Sequence, residues 1–420
     1  MGAAVQVFQL ANPHALASIL DASTTRRIVA SRDILDDRGS RLWARDQPVS
    51  HSLHQRLQER RLRQPLETCL RAEDGVTPFV LQESLAEFLS STHPLALALQ
   101  PMAPRLAEEV EHLPLHPAVQ LLLTAAHATR PAVYEHAVRG MALAGALQMQ
   151  TRTERYAVRL AMLGGLLHDI GEMYVNPAYL QGRQPLDMLS YRHVVTHPRV
   201  GELLLATMTD YPSDLARAIG EHHERLDGSG YPMRRRQEQI SPLGMVLSAT
   251  ETALGVGDAD EAPLSRVSFA LRMVAGEYDE SCVDFFAKAA ERAGEDARAA
   301  VTETQAELIV QLALMDTELS MLREEAQALV AEADSTRMVR DVAGKVAERV
   351  QRLRAGWNSM GLWCMAQPQD SPRKVFELSM ARDELRYRLS TLERDCLWPH
   401  GELLETDALQ LDSLWRTELA

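Results

Sequence analysis

The sequence is poor in cysteine and contains no long apolar run. Its four cysteines never occur as a CxxC pair, which argues against a disulfide scaffold and a thiolate zinc site. No segment approaches the roughly 18 to 20 consecutive apolar residues that would span a bilayer. The first ten residues also lack the basic start and apolar stretch of a leader. We therefore expect a cytoplasmic protein without a membrane span.

Positive charge and aromatic side chains are scarce as well. Lys and Arg number 44 against 58 Asp and Glu, so the formal net charge is −14. This acidic balance argues against broad binding to the phosphate backbone of nucleic acids. Aromatic residues make up 5% of the 420 residues, whereas hydrophobic residues make up 46%. Because Ala, Leu, Glu and Arg are abundant, we expect several folded units that are mainly helical.

The pattern along the chain divides it into three predicted parts. Residues 1–104 contain short β-prone pieces around a turn signal at residues 36–39, followed by a helix capped by Ser50, which predicts a small α+β accessory module with a hairpin. Residues 112–294 are helical in their periodicity almost throughout. Residues 295–420 form the third part and are also predicted to be helical.

The C-terminal part contains a heptad pattern. Apolar side chains recur at alternating spacings of four and three between residues 308 and 329, which makes three heptads of an a/d seam. This seam predicts a coiled coil, which could join two chains in a homodimer, or a helical hairpin. The alternative is a long helix folded back on the central part within one chain, and it stays open because three heptads are a short pattern. A final helix is predicted to begin at Ser371-Pro372.

Histidine is concentrated in the central part, where nine of the fourteen histidines lie between His112 and His223. His168 and Asp169 follow two leucines at the inner end of a predicted buried helix. Unpaired ionisable groups at such a place would cost several kcal/mol, and metal coordination would remove that cost. Further histidines lie near predicted helix ends or on apolar helices, namely His136, His197, His222 and His223.

These side chains are suited to a metal centre. Imidazole and carboxylate groups are ligands for iron, manganese and zinc. A carboxylate such as that of Asp169 can bridge two ions about 3.5 to 4 Å apart, and such a pair activates water and holds a phosphate during in-line displacement. A single histidine is more often an ordinary core or surface residue. We interpret His112, His116, His127 and His193 in that way.

The order of these residues, followed by a Gly-Tyr-Pro segment, resembles the HD-GYP family, a branch of the HD-domain metal-dependent phosphohydrolases. The similarity covers about residues 116–293 and includes the ordered segment His-His-Glu-x-x-Asp-Gly-Ser-Gly-Tyr-Pro. It implies an HD-domain helical bundle, a two- or three-metal centre, usually of iron or manganese, and hydrolysis of cyclic di-GMP. For this chain we expect one or two divalent metal ions. It also implies a substrate loop, which can contact a diguanylate cyclase-type partner and consists of Asp227, Gly228, Gly230, Tyr231 and Pro232.

The resemblance also implies a role for each residue of the constellation. His168 and Asp169 would be the catalytic pair. One metal would be bound by His136, His168 and Asp169. Asp169 would bridge to a second metal, whose other ligands would be His197, His222 and His223.

Three departures from the family pattern touch this chemistry. Glu172 stands where the family usually has a lysine. Thr250 stands where the family has its last aspartate ligand, and the neighbouring Glu251 would be turned away by about 100° around the helix. Residues 255–262 are acidic where the family presents a basic segment, so Asp258, Asp260 and Glu261 would repel a dianionic substrate.

Two functions follow as hypotheses. The first is an HD-GYP-type phosphohydrolase in bacterial second-messenger signalling, which hydrolyses cyclic di-GMP with reduced activity. The alternative is a catalytically degenerate HD-GYP signalling or scaffold protein that acts through protein partners. Metal content measured together with turnover distinguishes the two.

Overall fold

A computed structural model describes residues 8–180, 186–258, 262–293, 302–360, 372–400 and 403–415. These residues are mainly helical, and their few short strands lie near the N-terminus, which confirms the predicted fold class. Ser371, the predicted cap of the final helix, lies outside the described residues. No helix in these ranges combines the length and the apolar character that crossing a bilayer requires.

The N-terminal region combines helices with two small antiparallel sheets. Its elements are α1 (Pro13–Ala22), β1 (Ile28–Ala30), β2 (Ile34–Leu35), β3 (Arg41–Trp43), α2 (His51–Leu57), a 3-10 helix at Leu66–Cys69, β4 (Leu70–Ala72), α3 (Pro78–Leu89), α4 (Pro94–Leu99), a 3-10 helix at Gln100–Met102 and α5 (Ala103–Val110). Strand β1 pairs with β4, and β2 pairs with β3. The Asp36 carboxylate closes the β2–β3 turn by accepting hydrogen bonds from the backbone amides of Arg38 (3.1 Å) and Ser40 (2.7 Å). The predicted hairpin is therefore confirmed.

The central region of the sequence consists mainly of helices. Its elements are α6 (Pro117–Thr129), α7 (Pro131–Thr151), α8 (Arg155–Leu167), 3-10 helices at Ile170–Tyr174 and Pro177–Tyr179, α9 (Met188–Val194), α10 (His197–Met208), α11 (Ser213–Ile219), a 3-10 helix at Gln237–Gln239, α12 (Pro242–Gly257), α13 (Leu264–Arg272) and α14 (Glu280–Ala293). Helices α7 and α8 approach closely at two glycines, since a Cβ on Gly165 would lie only 2.1 Å from the Gly140 carbonyl oxygen. Only glycine fits at this crossing.

The C-terminal region consists of α15 (Gln305–Ala331), α16 (Arg337–Ser359), α17 (Pro372–Leu397) and α18 (Glu405–Trp415). Thr304 and Glu307 form a capping box that begins α15, and Thr336 caps α16. The heptad side chains from Leu308 to Ala326 are buried, and α15 packs against α16, α17 and α18 of the same chain. Helices α15 and α16 thus form a helical hairpin, which is one of the forms predicted from the heptads.

The described residues fall into two compact units. The first comprises those of Met1–Leu264 and Tyr278–Ala289, and the second comprises those of Ser265–Glu277 and Ala290–Ala420. The predicted accessory strands and the predicted histidine-rich part both belong to the first unit. The three boundaries predicted from the sequence stay predictions.

Candidate metal centre

Five segments of the first unit bring the predicted site residues together. His136 lies on α7, and His168 and Asp169 follow the end of α8. His197 begins α10, His222 and His223 follow α11, and α12 completes the site. Gly171 allows the segment after Asp169 to touch α10, because an added Cβ would lie 2.1 Å from the His197 carbonyl oxygen.

The Asp169 carboxylate lies at the middle of the cluster, and each of its oxygens faces a different pair of imidazoles. Oδ2 lies 3.3 Å from Nε2 of His136 and 3.1 Å from Nε2 of His168. Oδ1 lies 3.2 Å from Nε2 of both His197 and His222. This is the arrangement expected of a carboxylate that bridges two ions.

Glu251 supplies a second carboxylate, and this overturns one expectation. Its Oε2 lies 3.1 Å from Nε2 of His168 and 3.5 Å from Nε2 of His136, while its Oε1 lies 4.0 Å from Nε2 of His223. Thr250 is buried, and its hydroxyl donates to the Val246 carbonyl at 2.9 Å. The expectation that Thr250 occupies the last ligand position and that Glu251 turns away was wrong by one residue of helix rotation.

The imidazoles are held with Nε2 pointing into the cluster. Nδ1 of His168, His197 and His222 each lies within 2.8 Å of the backbone carbonyl three residues earlier, so Nδ1 carries the proton and donates it. Nδ1 of His136 lies 3.2 Å from the Asp258 carboxylate. Partners of this kind fix the tautomer of a metal-binding histidine and leave Nε2 as the free electron pair.

The electrostatics of the cluster are those of a cation site. Burial alone would lower the pKa of His168, but the neighbouring carboxylates raise it to about 10. Burial would raise the pKa of Asp169, yet the surrounding imidazoles hold it well below its usual value. Burial also lowers the pKa of His223 well below the ordinary value, which keeps its ring neutral and able to bind a metal.

The donor set fits a pair of metal ions. Two groups of four side chains each place their ligand atoms within 4.8 Å of one another. The buried Oδ1 of Asp169 makes no hydrogen bond within the described residues, although two imidazole nitrogens lie beside it. The cluster could therefore hold metal ions, and the two groups are Asp169, His197, His222 and His223, and His136, His168, Asp169 and Glu251.

The predicted substrate loop lies directly against this cluster. The Tyr231 ring is stacked on the His223 ring, with centroids 4.3 Å apart. Gly230 is required there, because an added Cβ would lie 2.4 Å from the His223 carbonyl oxygen, and Gly228 has a φ of 82°. The Asp227 carboxylate accepts a hydrogen bond from the Ser229 amide at 2.9 Å. Pro232 follows in a cis peptide bond with Tyr231.

The acidic residues that depart from the family pattern have different surroundings. Burial and the charges of Asp169 and Glu251 raise the pKa of Glu172 to about 7, and Glu172 is in neither four-residue group. Asp258 does not stand free to repel a substrate, because its carboxylate lies 3.1 Å from Arg139 and 3.2 Å from His136. Asp260 and Glu261 lie outside the described residues.

Sequence reasoning missed the roles of Glu251 and Asp258. The available signal for Glu251 was a carboxylate next to the predicted ligand position, and Asp258 comes seven residues, about two helical turns, after it. The histidines interpreted as ordinary stay outside both four-residue groups. His116, for example, caps α6 by accepting a hydrogen bond from the Ala118 amide.

Comparison with known proteins agrees with this site. Residues 133–251 match the family model of the HD domain. A cyclic di-GMP phosphodiesterase of Pseudomonas aeruginosa is 31% identical over 186 residues, which is 44% of this chain and 43% of that protein. A 3′3′-cGAMP-specific phosphodiesterase of Vibrio cholerae is 34% identical over 129 residues, 30% of this chain and 26% of that protein. The chain thus spans less than half the length of these curated relatives.

A solved structure of an HDG"Y"P protein from Bdellovibrio bacteriovorus aligns with 65% of this chain and 98% of its own, at 15% identity and a TM-score of 0.35. The family-model match covers the segment from the helix of His136 to Glu251. The match to the HD-domain model over residues 133–251 bears out the resemblance predicted from the order of the histidines.

Proposed function

We propose that this chain is an HD-GYP-type metal-dependent phosphohydrolase that hydrolyses the phosphodiester bonds of cyclic di-GMP in bacterial second-messenger signalling. The observation that carries the proposal is the Asp169 carboxylate, whose two oxygens face two separate pairs of imidazole nitrogens. This arrangement suits two adjacent cations that act on one phosphate. The two cyclic dinucleotide phosphodiesterases among the relatives support the choice of substrate.

The proposed cofactors are two divalent ions, with iron or manganese preferred because the ligands mix imidazole with carboxylate. The ligand sets are the two four-residue groups of the cluster, and both contain Asp169. When bound, such ions supply an activated water and positive charge for the phosphate. The pair His168 and Asp169 is proposed as the catalytic core, since Asp169 touches both groups.

The surrounding residues orient and shield this site. Backbone carbonyls hold the proton on Nδ1 of the buried imidazoles, so no rotation is needed before they bind a cation. Tyr231 covers one face of His223 and limits the access of water there. The loop of Asp227, Gly228, Gly230, Tyr231 and Pro232 is proposed to border the substrate and to contact a diguanylate cyclase-type partner.

One observation favours the alternative of a catalytically degenerate signalling protein. The charges of Asp169 and Glu251 help to raise the pKa of the Glu172 carboxyl group to about 7. Near neutral pH this group is therefore partly ionised. A negative charge there opposes a dianionic substrate and is expected to reduce activity. A metal-bound but inactive protein that acts through partners would keep the same architecture.

Metal content measured together with turnover tests the proposal. The full-length protein, loaded with Mn²⁺ or Fe²⁺ under reducing conditions, is expected to hold about two ions per chain and to linearise cyclic di-GMP. His222→Ala should lose both properties, whereas His193→Ala, an exposed histidine stacked on Tyr179, should keep them. Two bound ions without hydrolysis would favour the signalling alternative.

Two predictions on assembly and location stay predictions. A homodimer through the 308–329 heptads would use side chains that the hairpin already buries. Light scattering of the parent protein first shows whether a dimer exists. If a dimer exists through this seam, charged replacements at Leu312 and Leu319 should convert it to a monomer. The cytoplasmic location is also proposed from the sequence and is checked by cell fractionation.

A further inference from the structure

We propose that the N-terminal region contains a binding site for a small phosphate-bearing molecule. The site is an open cavity of about 830 Å³ beside strand β3 and helix α2, a size within the range of small-molecule sites. This region contributes no side chain to the two four-residue groups and lies outside residues 133–251, which match the HD-domain model. Its polar lining consists of Arg41, Gln55, Arg56, Gln58, Glu59 and Arg60.

The guanidinium groups of the cavity are the first support for a phosphate. The lining has three of them and one carboxylate, and two of the three arginines also lie near acidic side chains. Arg41 lies 3.6 Å from the Asp33 carboxylate, and Arg60 lies 3.6 Å from that of Asp36. Both distances exceed a hydrogen bond, so these arginines keep N–H donors for an incoming oxyanion.

The geometry of the lining is the second support. The Arg56 Nη1 donates to the Leu42 carbonyl at 3.3 Å, and its guanidinium lies 5.7 Å from the Trp43 ring centroid. Glu59 follows the end of α2 with a φ of 57°, a left-handed conformation that is unfavourable for a residue other than glycine. Arg60 follows directly and lines the cavity. Backbone strain of this kind is common at functional sites.

These features select the chemical class of the ligand. Guanidinium groups bind phosphate through two parallel hydrogen bonds. The amides of Gln55 and Gln58 can donate to and accept from a base or sugar. The volume admits a ligand as large as a mononucleotide.

Calorimetric titration of the full-length protein tests the site. The probes are 5′-GMP, inorganic phosphate and citrate, each used before and after treatment with a chelator so that binding at the metal centre is recognised. The double variant Arg41→Gln/Arg60→Gln should bind GMP and phosphate at least about tenfold more weakly. Arg45→Gln is the matched control, because Arg45 is equally exposed and also has one ion pair, at 3.5 Å with Asp46.

Several outcomes would overturn this site. It is wrong if neither GMP nor phosphate binds, if the double variant binds them as the parent does, or if chelation alone abolishes binding. Tighter binding of citrate than of phosphate would reject the proposed ligand class. All replaced side chains are exposed, so the variants are expected to fold, which their circular dichroism checks.

A different observation carries a second inference, which rests on the proposed function. We infer that Glu67 and Tyr174 are positioning residues for the metal centre. The Tyr174 hydroxyl donates to the Glu67 carboxylate at 2.6 Å, and Glu67 is 4% exposed. The Asn12 side chain donates to the Tyr174 carbonyl at 3.1 Å, and the Phe8 ring meets the Tyr174 ring edge to face.

One short 3-10 helix connects the Tyr174–Glu67 hydrogen bond to the metal centre. Tyr174 ends the 3-10 helix that begins directly after Asp169. Within this helix, Gly171 packs against the His197 carbonyl with no room for a Cβ. A displacement of Tyr174 therefore moves Asp169 and His197 relative to each other. The N-terminal residues that hold Tyr174 thereby set the distance between ligands of the proposed metals.

Metal affinity is the readout for this role. Tyr174→Phe should weaken the binding of Mn²⁺, measured by competition with a chelator, by about tenfold or more, as for other residues that support metal ligands. Glu67→Gln keeps an acceptor for the Tyr174 hydroxyl and should retain most of the affinity. Tyr211→Phe is the control, because its hydroxyl also joins distant segments, donating to the Pro114 carbonyl and accepting from the His116 amide.

The results separate this role from a general loss of stability. Tyr211→Phe should lower the melting temperature and leave the affinity for Mn²⁺ unchanged. If Tyr174→Phe also lowers only the melting temperature, the positioning role is refuted. If Mn²⁺ binding depends on Tyr174 but cyclic di-GMP is not hydrolysed, the proposed function fails while the positioning role stands.

Discussion

The two compact units contain charged groups in contrasting arrangements. In the second unit, Arg388 donates two hydrogen bonds to the Glu277 carboxylate, at 2.9 and 2.7 Å, and Arg354 donates two to Asp316, both at 2.9 Å. In the metal centre of the first unit, imidazole nitrogens lie only 3.0 and 3.2 Å from each other around two carboxylates. The first arrangement pairs a guanidinium with a carboxylate, whereas the second places several imidazole nitrogens around shared carboxylates.

These two arrangements of charged groups distinguish a structural ion pair from a binding site. In an ion pair, the carboxylate neutralises the arginine and accepts its hydrogen bonds. Imidazoles whose Nδ1 protons are already donated outward meet at Nε2 around two carboxylates, which raise the pKa of His168 and so favour positive charge at this place. That arrangement becomes favourable when a cation lies between the nitrogens. Replacing a carboxylate should therefore have different consequences in the two units.

The largest effect is expected from Asp169→Ala, which removes the carboxylate shared by both four-residue groups. Metal affinity should fall by at least about a hundredfold, because a ligand matters more than its supporting residues, and hydrolysis of cyclic di-GMP should become undetectable. Elemental analysis after gel filtration and a product assay measure these losses. Retention of two ions would show that Asp169 does not bridge them.

The matched change in the second unit is Glu277→Gln. It removes one of the two ionic partners of the half-buried Arg388 guanidinium, which keeps Glu384 at 2.7 Å, so the free energy of unfolding should fall by about 1 to 2 kcal/mol. Urea denaturation measures this loss, and elemental analysis should find the same metal content as in the parent. A drop in metal content, with stability unchanged, would contradict the comparison between the units.

A smaller effect is expected from Glu251→Gln, which weakens one of the two groups. Affinity for one ion should fall by about ten- to a hundredfold, so occupancy should approach half of the parent value. Thr250→Val is the control, because the Thr250 hydroxyl bonds to the Val246 carbonyl rather than to the cluster. A larger loss of metal in Thr250→Val than in Glu251→Gln would mean that position 250, rather than Glu251, faces the metal ions.

The last prediction concerns the pH dependence of the chelator-treated protein. Burial and the nearby carboxylates raise the pKa of Glu172 from 4.5 to about 7, so the folded state holds this proton more tightly than the unfolded state. Its stabilising contribution is complete below pH 4.5 and is lost as the pH rises through about 7.

Glu172→Gln should remove this loss and raise the free energy of unfolding at about pH 8 by about 3 kcal/mol. Urea denaturation between about pH 4 and pH 8 measures it. Adding Mn²⁺ should shrink the difference, because bound cations favour the ionised carboxylate. An identical pH profile for parent and variant would mean that Glu172 is solvated rather than desolvated beside the centre.

Much of the candidate site could be anticipated from local sequence. Five histidines and Asp169 were singled out by their order and by their positions at predicted helix ends, and the structure brings all six together. Glu251 could not be placed in the same way. The rotation of α12 about its axis follows from contacts made elsewhere in the fold, such as that of Leu247 with Gly164, and a rotation of one residue exchanges Thr250 for Glu251.

The heptads show the same limit in the second unit. Their spacing predicts an apolar stripe on a helix, and the stripe is buried as expected. Spacing does not say which surface covers the stripe, because a helix of another chain and a helix of the same chain bury it equally well. The partner became known only from the packing of α15 against α16, α17 and α18.

Residue types and their spacing along the chain were sufficient to indicate a mainly helical protein and a histidine-rich helical region with the imidazoles of the cluster, and the order of the motifs added the resemblance to HD domains. These properties depend on neighbours within a few turns of helix, which the order of residues already specifies. Folding in three dimensions decided which carboxylates joined the imidazoles, that Asp258 supports His136, and that α15 pairs within its own chain. Those outcomes depend on helix rotation and on contacts between distant segments, which are settled only when the whole core packs.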